Sequence, residues 1–283
     1  MTDSFAVAVL TPTTGLCRMG YAQSLARMIM YFSQVRIFED VQVQHLVPDA
    51  VEGSGIAENY ERMVTKYLKD EAIRWTHFLS VEDDMAWSPD CLHILARRRL
   101  PIVGANYSTN KGSPLRFTAV GMKGKRLRTT AESTGVEEVC LLPQGFTLVA
   151  REVYETLPKP WFLMGYNQES GNYVYQDYYF SQKARDAGYK LYVDQDVSKL
   201  IYHTGPKNYE WSDALKSELK VEKKGNRDGK SVRSLPDARR RGPEEPDHGG
   251  CRQAGILHRV GGSPRGGKPR QPPDLGEAGA AES

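Results

Sequence analysis

The sequence predicts an α/β fold in which helices cover both faces of a mainly parallel sheet. The first observation is that strand-like and helix-like segments alternate over residues 1–215 of the 283-residue chain. The second is that apolar positions change from continuous or alternating runs to helical spacing from one segment to the next. The third is composition, since 40% hydrophobic and 26% charged residues are usual for a globular domain, and no run approaches the roughly 20 apolar residues that span a bilayer.

The first four segments predict strand, helix, strand and helix. The apolar run FAVAVLTP predicts a strand ended by its proline, rather than a signal peptide, because no basic residue precedes it. The next segment, GYAQSLARMIMYFSQ, predicts a helix with one apolar face, made of Leu25, Met28, Ile29 and Phe32. DVQVQHLVPD predicts the second strand. GIAENYERMVTKYLKDEA predicts the second helix, with apolar residues at helical spacing.

The next three segments predict strand, helix and strand. THFLSVEDD predicts the third strand and PIVGANYS the fourth. Between them lies SPDCLHILARRR, in which Ser88 is a suitable N-cap and Pro89 a suitable first helical residue. The three arginines that close this helix, Arg97 to Arg99, favour the negative end of its dipole. Ligands in such sheets bind beyond the carboxyl ends of the strands, so TPTTG and the acidic end of the third strand should face one crevice.

Later segments continue the alternation. CLLPQGFTLVAREVYETL predicts a strand that runs into a helix through a Gly-Phe turn. DYYFSQKARDAG predicts a helix with Asp177 near its N-terminus, where the dipole favours a carboxylate. YKLYVD predicts a strand followed by a turn that contains Asp194 and Asp196, and KLIYHTG ends in His203.

Three adjacent carboxylates, Glu82, Asp83 and Asp84, end the third predicted strand. Gathering them in a crevice is costly unless a cation is present, and hard oxygen ligands suit Mg²⁺ or Mn²⁺ bound together with substrate phosphates. Strand alternation predicts that Glu82 and Asp84 share one side of the chain. The triplet alone leaves two interpretations open, a divalent-metal site and a solvated turn.

Four stretches, in this order, resemble the GT-A-fold glycosyltransferases, especially the family-2-like group of nucleotide-diphospho-sugar transferases. They are VEDDM at the end of a hydrophobic strand, PIVGANY soon after, QGFTLVAREVYE, and QDYYFSQKARDAGYKLYVD closing on HTG. The resemblance covers about residues 6–205. It implies a Rossmann-like GT-A domain over residues 1–215 and hexosyltransferase-like transfer from a nucleotide-diphosphate sugar, with a UDP-sugar as the first choice, to an acceptor hydroxyl.

The resemblance also implies roles for individual residues. Asp84 and His203 would hold Mn²⁺ or Mg²⁺ with help from Glu82, which stands where the family usually has Asp. An imidazole ligand favours Mn²⁺ over Mg²⁺. Asp177 would be the base of an inverting reaction, with Gln176 standing where Glu is common. The residues that would contact the nucleotide sugar are Thr11, Pro12, Thr13, Asn59, Glu82 and Asp83.

The aromatic stretch before Asp177 supplies the candidates for acceptor contacts, which are Trp161, Tyr166 and Tyr175. The acceptor stays open between a glycan, a protein and a modified nucleic acid. Two other functions also stay open. A sugar-phosphate nucleotidyltransferase would share the sheet, but TPTTGLCRMG has no dense run of glycines. A non-catalytic module that binds a nucleotide sugar or a glycan would accommodate Glu82 and Gln176.

The composition changes beyond residue 215. No Phe, Tyr or Trp follows Trp211, and residues 225–283 contain 12 Gly and 7 Pro. Residues 216–283 are therefore predicted to be a disordered Gly/Pro/Arg-rich tail. The four cysteines are widely spaced without a CxxC pair, which together with the lack of a predicted transmembrane segment favours a cytoplasmic protein.

Overall fold

The computed structural model describes residues 3–35, 37–38, 40–53, 55–110, 112–168 and 171–227. The strands are β1 Asp3–Thr13, β2 Ile37–Phe38, β3 Val41–Glu52, β4 His77–Val81, β5 Met85–Trp87, β6 Ile102–Gly104, β7 Val120–Gly121, β8 Val136–Leu141, β9 Phe146–Ala150, β10 Gly165–Asn167, β11 Asn172–Val174, β12 Leu191–Asp194, β13 Ile201–Thr204 and β14 Asn208–Tyr209. The helices are α1 Met19–Gln34, α2 Ile56–Leu68, α3 Cys91–Arg97, α4 Arg151–Thr156, α5 Gln176–Asp186, α6 Gln195–Ser198 and α7 Trp211–Arg227.

Nine of the described strands form one sheet, in the order β2-β3-β1-β4-β9-β6-β12-β8-β7. The register pairs β1 in parallel with β3 and β4, and β12 in parallel with β6. Strand β9 lies antiparallel between β4 and β6, so these two strands point the same way. The predicted mainly parallel α/β sheet is therefore confirmed, with β9 inserted as an antiparallel strand and with β2 and β8 also antiparallel to their neighbours.

Side chains along β1 point alternately to the two faces of the sheet and contribute to a hydrophobic core on each face. Ala8 and Leu10 pack on the face that carries α2, α4 and α5. Val7 and Val9 pack on the face that carries α1 and α3. All four side chains are fully buried, and full burial of a Leu or Val side chain contributes about 1.5–3 kcal/mol. Helices on both faces of the sheet are thus confirmed.

Several predicted boundaries differ from the observed ones. Helix α2 ends at Leu68, Phe146 begins β9 rather than a turn into a helix, and the turn predicted at Asp194 and Asp196 is helix α6. Pro12 does not end β1, which continues to Thr13; because pairing with β4 stops at Leu10, the last residues of β1 pair with β3 alone and a proline is tolerated there. Helix α3 begins at Cys91 with Asp90 as its N-cap residue, whereas Ser88 was predicted. Strand β4 ends at Val81, so the acidic triplet occupies the turn before β5.

Arg98 and Arg99 do more than complement the dipole of α3. Arg98 Nε donates to Asp194 Oδ2 at 2.6 Å and its Nη2 donates to Asp196 Oδ2 at 2.9 Å. Arg99 donates in the same way to two exposed carboxylates, those of Asp3 and Asp40. Asp194 also caps α6, accepting from the backbone N–H groups of residues 196 and 197. The acid-x-acid pair at 194 and 196 therefore has a structural role, since its carboxylates connect the start of α6 to the end of α3.

The C-terminal part of the described chain is helical. Helix α7 continues past the predicted domain boundary at residue 215, and Ala214 on it is fully buried. The Ser217 hydroxyl accepts a hydrogen bond from the Leu115 N–H at 3.0 Å. The rest of the predicted tail, residues 228–283, lies outside the described residues. Among residues 3–227 that are described, no helix is long and apolar enough to cross a membrane.

Candidate functional site

The acidic triplet forms a tight turn at the carboxyl edge of the sheet. The Glu82 N–H donates to the Gly145 carbonyl at 3.2 Å, which ties the turn to the loop between β8 and β9. The Arg18 N–H, just before α1, donates to the Asp83 carbonyl at 2.9 Å. The backbone of the acidic turn is therefore held by contacts from two other segments.

Strand pairing brings His203 to Asp84. Strands β5 and β13 pair antiparallel in a register that sets His203 opposite Met85, the residue after Asp84. The Thr204 N–H and hydroxyl both donate to the Asp84 carbonyl, at 2.6 and 2.7 Å. His203 Nε2 then lies 3.1 Å from Asp84 Oδ2. Two of the three residues predicted as metal ligands, Asp84 and His203, are 119 positions apart in the chain and are in direct contact.

The hydrogen bonds around His203 define which ring nitrogen carries a proton. Nδ1 lies 2.9 Å from the Ser108 carbonyl, which only accepts, so Nδ1 donates to it, and Nε2 faces the Asp84 carboxylate, to which it donates when the ring is protonated. Burial alone would lower the pKa of His203, but the hydrogen bond and charge of Asp84 raise it above its usual value. Asn110 Nδ2 also donates to Asp84 Oδ2, at 3.2 Å, and to the Thr204 carbonyl, at 3.0 Å.

Electrostatic effects join Glu82 to the other acidic residues of the site. Burial raises the pKa of the Glu82 carboxyl well above its usual range, and the charges of Asp84 and then Asp177 raise it further. His203 lowers the same pKa and Asp83 raises it slightly. A carboxyl group with this many acidic neighbours is costly to ionise unless a cation compensates.

Asp177 lies in the first turn of α5, as predicted. Its Oδ1 accepts a hydrogen bond from the Tyr178 N–H at 2.8 Å. Its charge contributes to the raised pKa of two fully buried tyrosines, Tyr60 and Tyr107, after burial and the charge of Glu82. Asp177 is therefore close enough to share one electrostatic environment with Glu82.

Four of the predicted nucleotide contacts lie at the end of β1 and on α2. Thr11 is buried, with its hydroxyl 2.7 Å from that of Tyr21, and Pro12 is buried beside it. The Thr13 carbonyl accepts from the Gly53 N–H at 3.1 Å. Asn59 is buried on α2, and its amide donates to the Gly53 carbonyl at 3.4 Å. The ends of β1 and β3 and the start of α2 thus form one hydrogen-bonded group.

The predicted acceptor residues divide into two kinds. Trp161 is 3% exposed and its Nε1 donates to the Leu157 carbonyl, so its ring contributes to the core rather than to an open surface. Tyr166 and Tyr175 are 56% and 38% exposed. They lie on or beside the β10–β11 hairpin that precedes α5.

The donor atoms present suit a metal that takes part of its coordination from substrate. Among the described residues, no group of three or more His, Cys, Asp or Glu side chains is arranged to hold a metal ion without help. Asp84 and His203 supply one carboxylate and one imidazole nitrogen at contact distance. Mg²⁺ and Mn²⁺ commonly bind one or two carboxylates plus substrate phosphates and water, so this pair fits such an ion.

Sequence reasoning missed two residues that position this pair. Ser108 orients the His203 ring and Asn110 binds the Asp84 carboxylate. Both follow β6, whose carboxyl end reaches the same edge of the sheet as that of β4. For Asn110 the available signal was a polar side chain in the loop after a parallel strand, whereas Ser108 acts through its backbone carbonyl, which no residue type signals.

Comparison with known proteins gives a likeness of fold. No protein-family model matches the chain, and no curated protein matches it. The structure is similar to that of A197 from STIV, with a TM-score of 0.47 and 17% identity over 71% of this chain and 86% of that chain. It is also similar to GalNAc-T7 solved with UDP, GalNAc and Mn²⁺, with a TM-score of 0.42 and 11% identity over 77% of this chain and 48% of that chain. Likenesses at this level concern the arrangement of the chain and not its ligand or reaction.

Proposed function

We propose that this chain is a metal-dependent glycosyltransferase that moves a sugar from a nucleotide-diphosphate sugar to an acceptor hydroxyl. The observation that carries the proposal is the contact between His203 and Asp84, which belongs to the acidic turn at the carboxyl edge of the sheet. Ligands of open α/β sheets bind at this edge. The nearby charge of Asp177 adds a group able to accept a proton.

Asp84 and His203 would hold Mn²⁺ or Mg²⁺, and Glu82 would add its carboxylate when the cation compensates its charged neighbours. The bound ion would neutralise the donor diphosphate and make it a better leaving group. Ser108 and Asn110 keep the imidazole and the carboxylate oriented, a function that second-layer hydrogen bonds commonly perform at metal sites.

The chain's own residues would then bind the donor and move one proton. The half-buried Thr13 would contact the nucleotide at the end of the sheet, and the buried Thr11 and Asn59 would support that end from the interior. The acceptor oxygen forms a bond to the anomeric carbon, and the bond from that carbon to the diphosphate oxygen breaks. The acceptor proton passes to Asp177, and a single displacement inverts the anomeric centre.

Nucleotide release is the direct test. The purified full-length chain is incubated with UDP-, GDP- and dTDP-sugars and mixed acceptors, with Mn²⁺ or with EDTA. We expect release of a nucleoside diphosphate from one donor, loss of that release in EDTA, and loss in the Asp84→Ala and His203→Ala variants. Asp186→Ala is the matched control, because Asp186 lies at the far end of α5 and hydrogen-bonds only locally to Gln182.

Three results would contradict the proposal. Release that is unaffected by EDTA would remove the metal from the mechanism. Binding of a donor without release under any condition would favour a nucleotide-sugar-binding module, and formation of a nucleotide sugar from a sugar phosphate would favour a nucleotidyltransferase.

A further inference from the structure

The strands of the β10–β11 hairpin expose two tyrosines and half-bury three other side chains. Tyr166 and Tyr173 are cross-strand partners with ring centroids 5.2 Å apart, and they are 56% and 58% exposed. Asn167, Asn172 and Val174 are half-buried. A hairpin that served packing alone would bury its rings, because aromatic area is what stabilises most when covered. Exposed aromatic area kept together on one face points to a ligand.

A third tyrosine extends this face towards Asp177. Tyr175 has an extended backbone, with φ −88° and ψ 162°, so its side chain points to the same side as that of Tyr173. It is 38% exposed and directly precedes α5, whose second residue is Asp177. Two extended residues cover about 6–7 Å, a distance comparable with one sugar ring. A ligand stacked on the rings therefore needs little length to bring a hydroxyl to Asp177.

The charges on and around the β10–β11 hairpin favour one class of acceptor over the others. Residues 164–176 contain no Lys or Arg, and Glu169 is the one charged residue in that stretch of sequence. The adjoining site is acidic through Glu82, Asp84 and Asp177. A nucleic acid is bound mainly through cations that neutralise its phosphates, which this region lacks. A neutral ring with apolar C–H faces and many hydroxyls matches both the tyrosine rings and their phenolic groups.

We propose that the tyrosine face, defined as Tyr166, Tyr173 and Tyr175, binds a neutral saccharide acceptor and directs its hydroxyl at Asp177. This inference rests on the proposed function and deepens it by naming the acceptor class. It assigns Tyr173 to the acceptor site beside Tyr166 and Tyr175, and it leaves the buried Trp161 out of it.

Saturation-transfer NMR with the full-length protein tests this assignment. The probes are maltose, cellobiose, lactose and chitobiose, and the competing classes are a short oligothymidylate and a Gly-Ser peptide. We expect transfer to at least one disaccharide, and binding weakened about tenfold or more when Tyr166 and Tyr173 are both changed to Ala. Changing both to Phe keeps the rings and should retain most of the binding. Met30→Ala, at a 61% exposed position on α1, is the control and should bind as the parent does.

The outcomes separate this inference from the function on which it rests. Failure of every saccharide to bind, binding unchanged in the Ala variant, or binding of the oligonucleotide or peptide alone would overturn the tyrosine face as a saccharide site. If the proposed function fails instead, no donor releases nucleotide while saccharide binding persists and still depends on the tyrosines. Melting temperatures of the variants check that these surface substitutions leave the fold intact.

Discussion

Two buried glutamines provide a matched test of how hydrogen bonding of a buried side-chain amide affects the stability of this protein. Gln144 and Gln195 are 1% and 2% exposed. Gln195 Oε1 accepts from the Thr129 hydroxyl at 2.8 Å, and its Nε2 donates to Glu137 Oε2 at 3.1 Å. Neither amide atom of Gln144 has a hydrogen-bond partner among the described residues. Replacing each glutamine with methionine, which has nearly the same length, should therefore change stability in opposite directions.

The magnitudes follow from the cost of a buried polar group without a partner. Gln144→Met removes two such atoms and should raise the free energy of unfolding by about 1–3 kcal/mol. Gln195→Met removes two hydrogen bonds and takes a partner from the fully buried Thr129 hydroxyl, so it should lower that free energy by about 1–3 kcal/mol. The two variants are thus expected to differ by roughly 2–6 kcal/mol.

Urea denaturation of the parent and the two variants measures these differences. The midpoints should move in opposite directions while the slopes stay constant. A destabilised Gln144→Met variant would refute the reasoning, because it would show that the Gln144 amide is satisfied in the folded chain. Nucleotide release measured on the same variant adds a second result. A more stable protein with less activity would indicate that the Gln144 amide is kept for a ligand.

Three further predictions concern the core, the base and acid stability. Arg98→Ala should lower the free energy of unfolding by about 3–5 kcal/mol, because it leaves the fully buried carboxylate of Asp194 without its cation. Arg99→Ala should lower it by at most about 1 kcal/mol in the same urea titration, because the carboxylates that pair with Arg99 are 48% and 61% exposed. Asp177→Asn should lower the rate of sugar transfer by about 10²–10⁴-fold while donor binding measured by calorimetry is unchanged. Burial lowers the pKa of His93 to about 4 from an unfolded value near 6.5, so its contribution, about 3 kcal/mol, should be present above pH 6.5 and be lost as the pH falls towards 4.

Each of these has an outcome that contradicts it. An equal decrease in the free energy of unfolding of the two arginine variants would mean that burial of the acidic partner does not determine the size of the effect. Full transfer activity in Asp177→Asn would remove that carboxylate as the base. For the histidine, His93→Phe should reduce the dependence of the unfolding free energy on pH between 4 and 6.5, leaving the part that His77 contributes, because burial also lowers the pKa of His77 to about 4. An unchanged dependence would assign the acid sensitivity to another group.

Most of the fold was predictable because local patterns and global packing agree. Alternation along β1 supplies both cores, and helical spacing on α2 supplies the residues that cover one face of the sheet. The boundaries that failed depend on neighbours that lie far away in sequence. Pro12 reads locally as a strand end, but it lies where β1 has lost one of its two partners. No local pattern carries that information.

For the site, the sequence by itself determined which residue types reach the carboxyl edge of the sheet. The acidic turn after a buried strand and the carboxylate in the first turn of α5 both follow from local pattern. Tertiary structure decided which of them meet. The register of β5 with β13 sets His203 against Asp84, and the end of β6 brings Ser108 and Asn110 to the same pair. Contacts of this kind depend on strand register and on the crossing of distant segments, which a one-residue shift would abolish and which spacing along the chain does not encode.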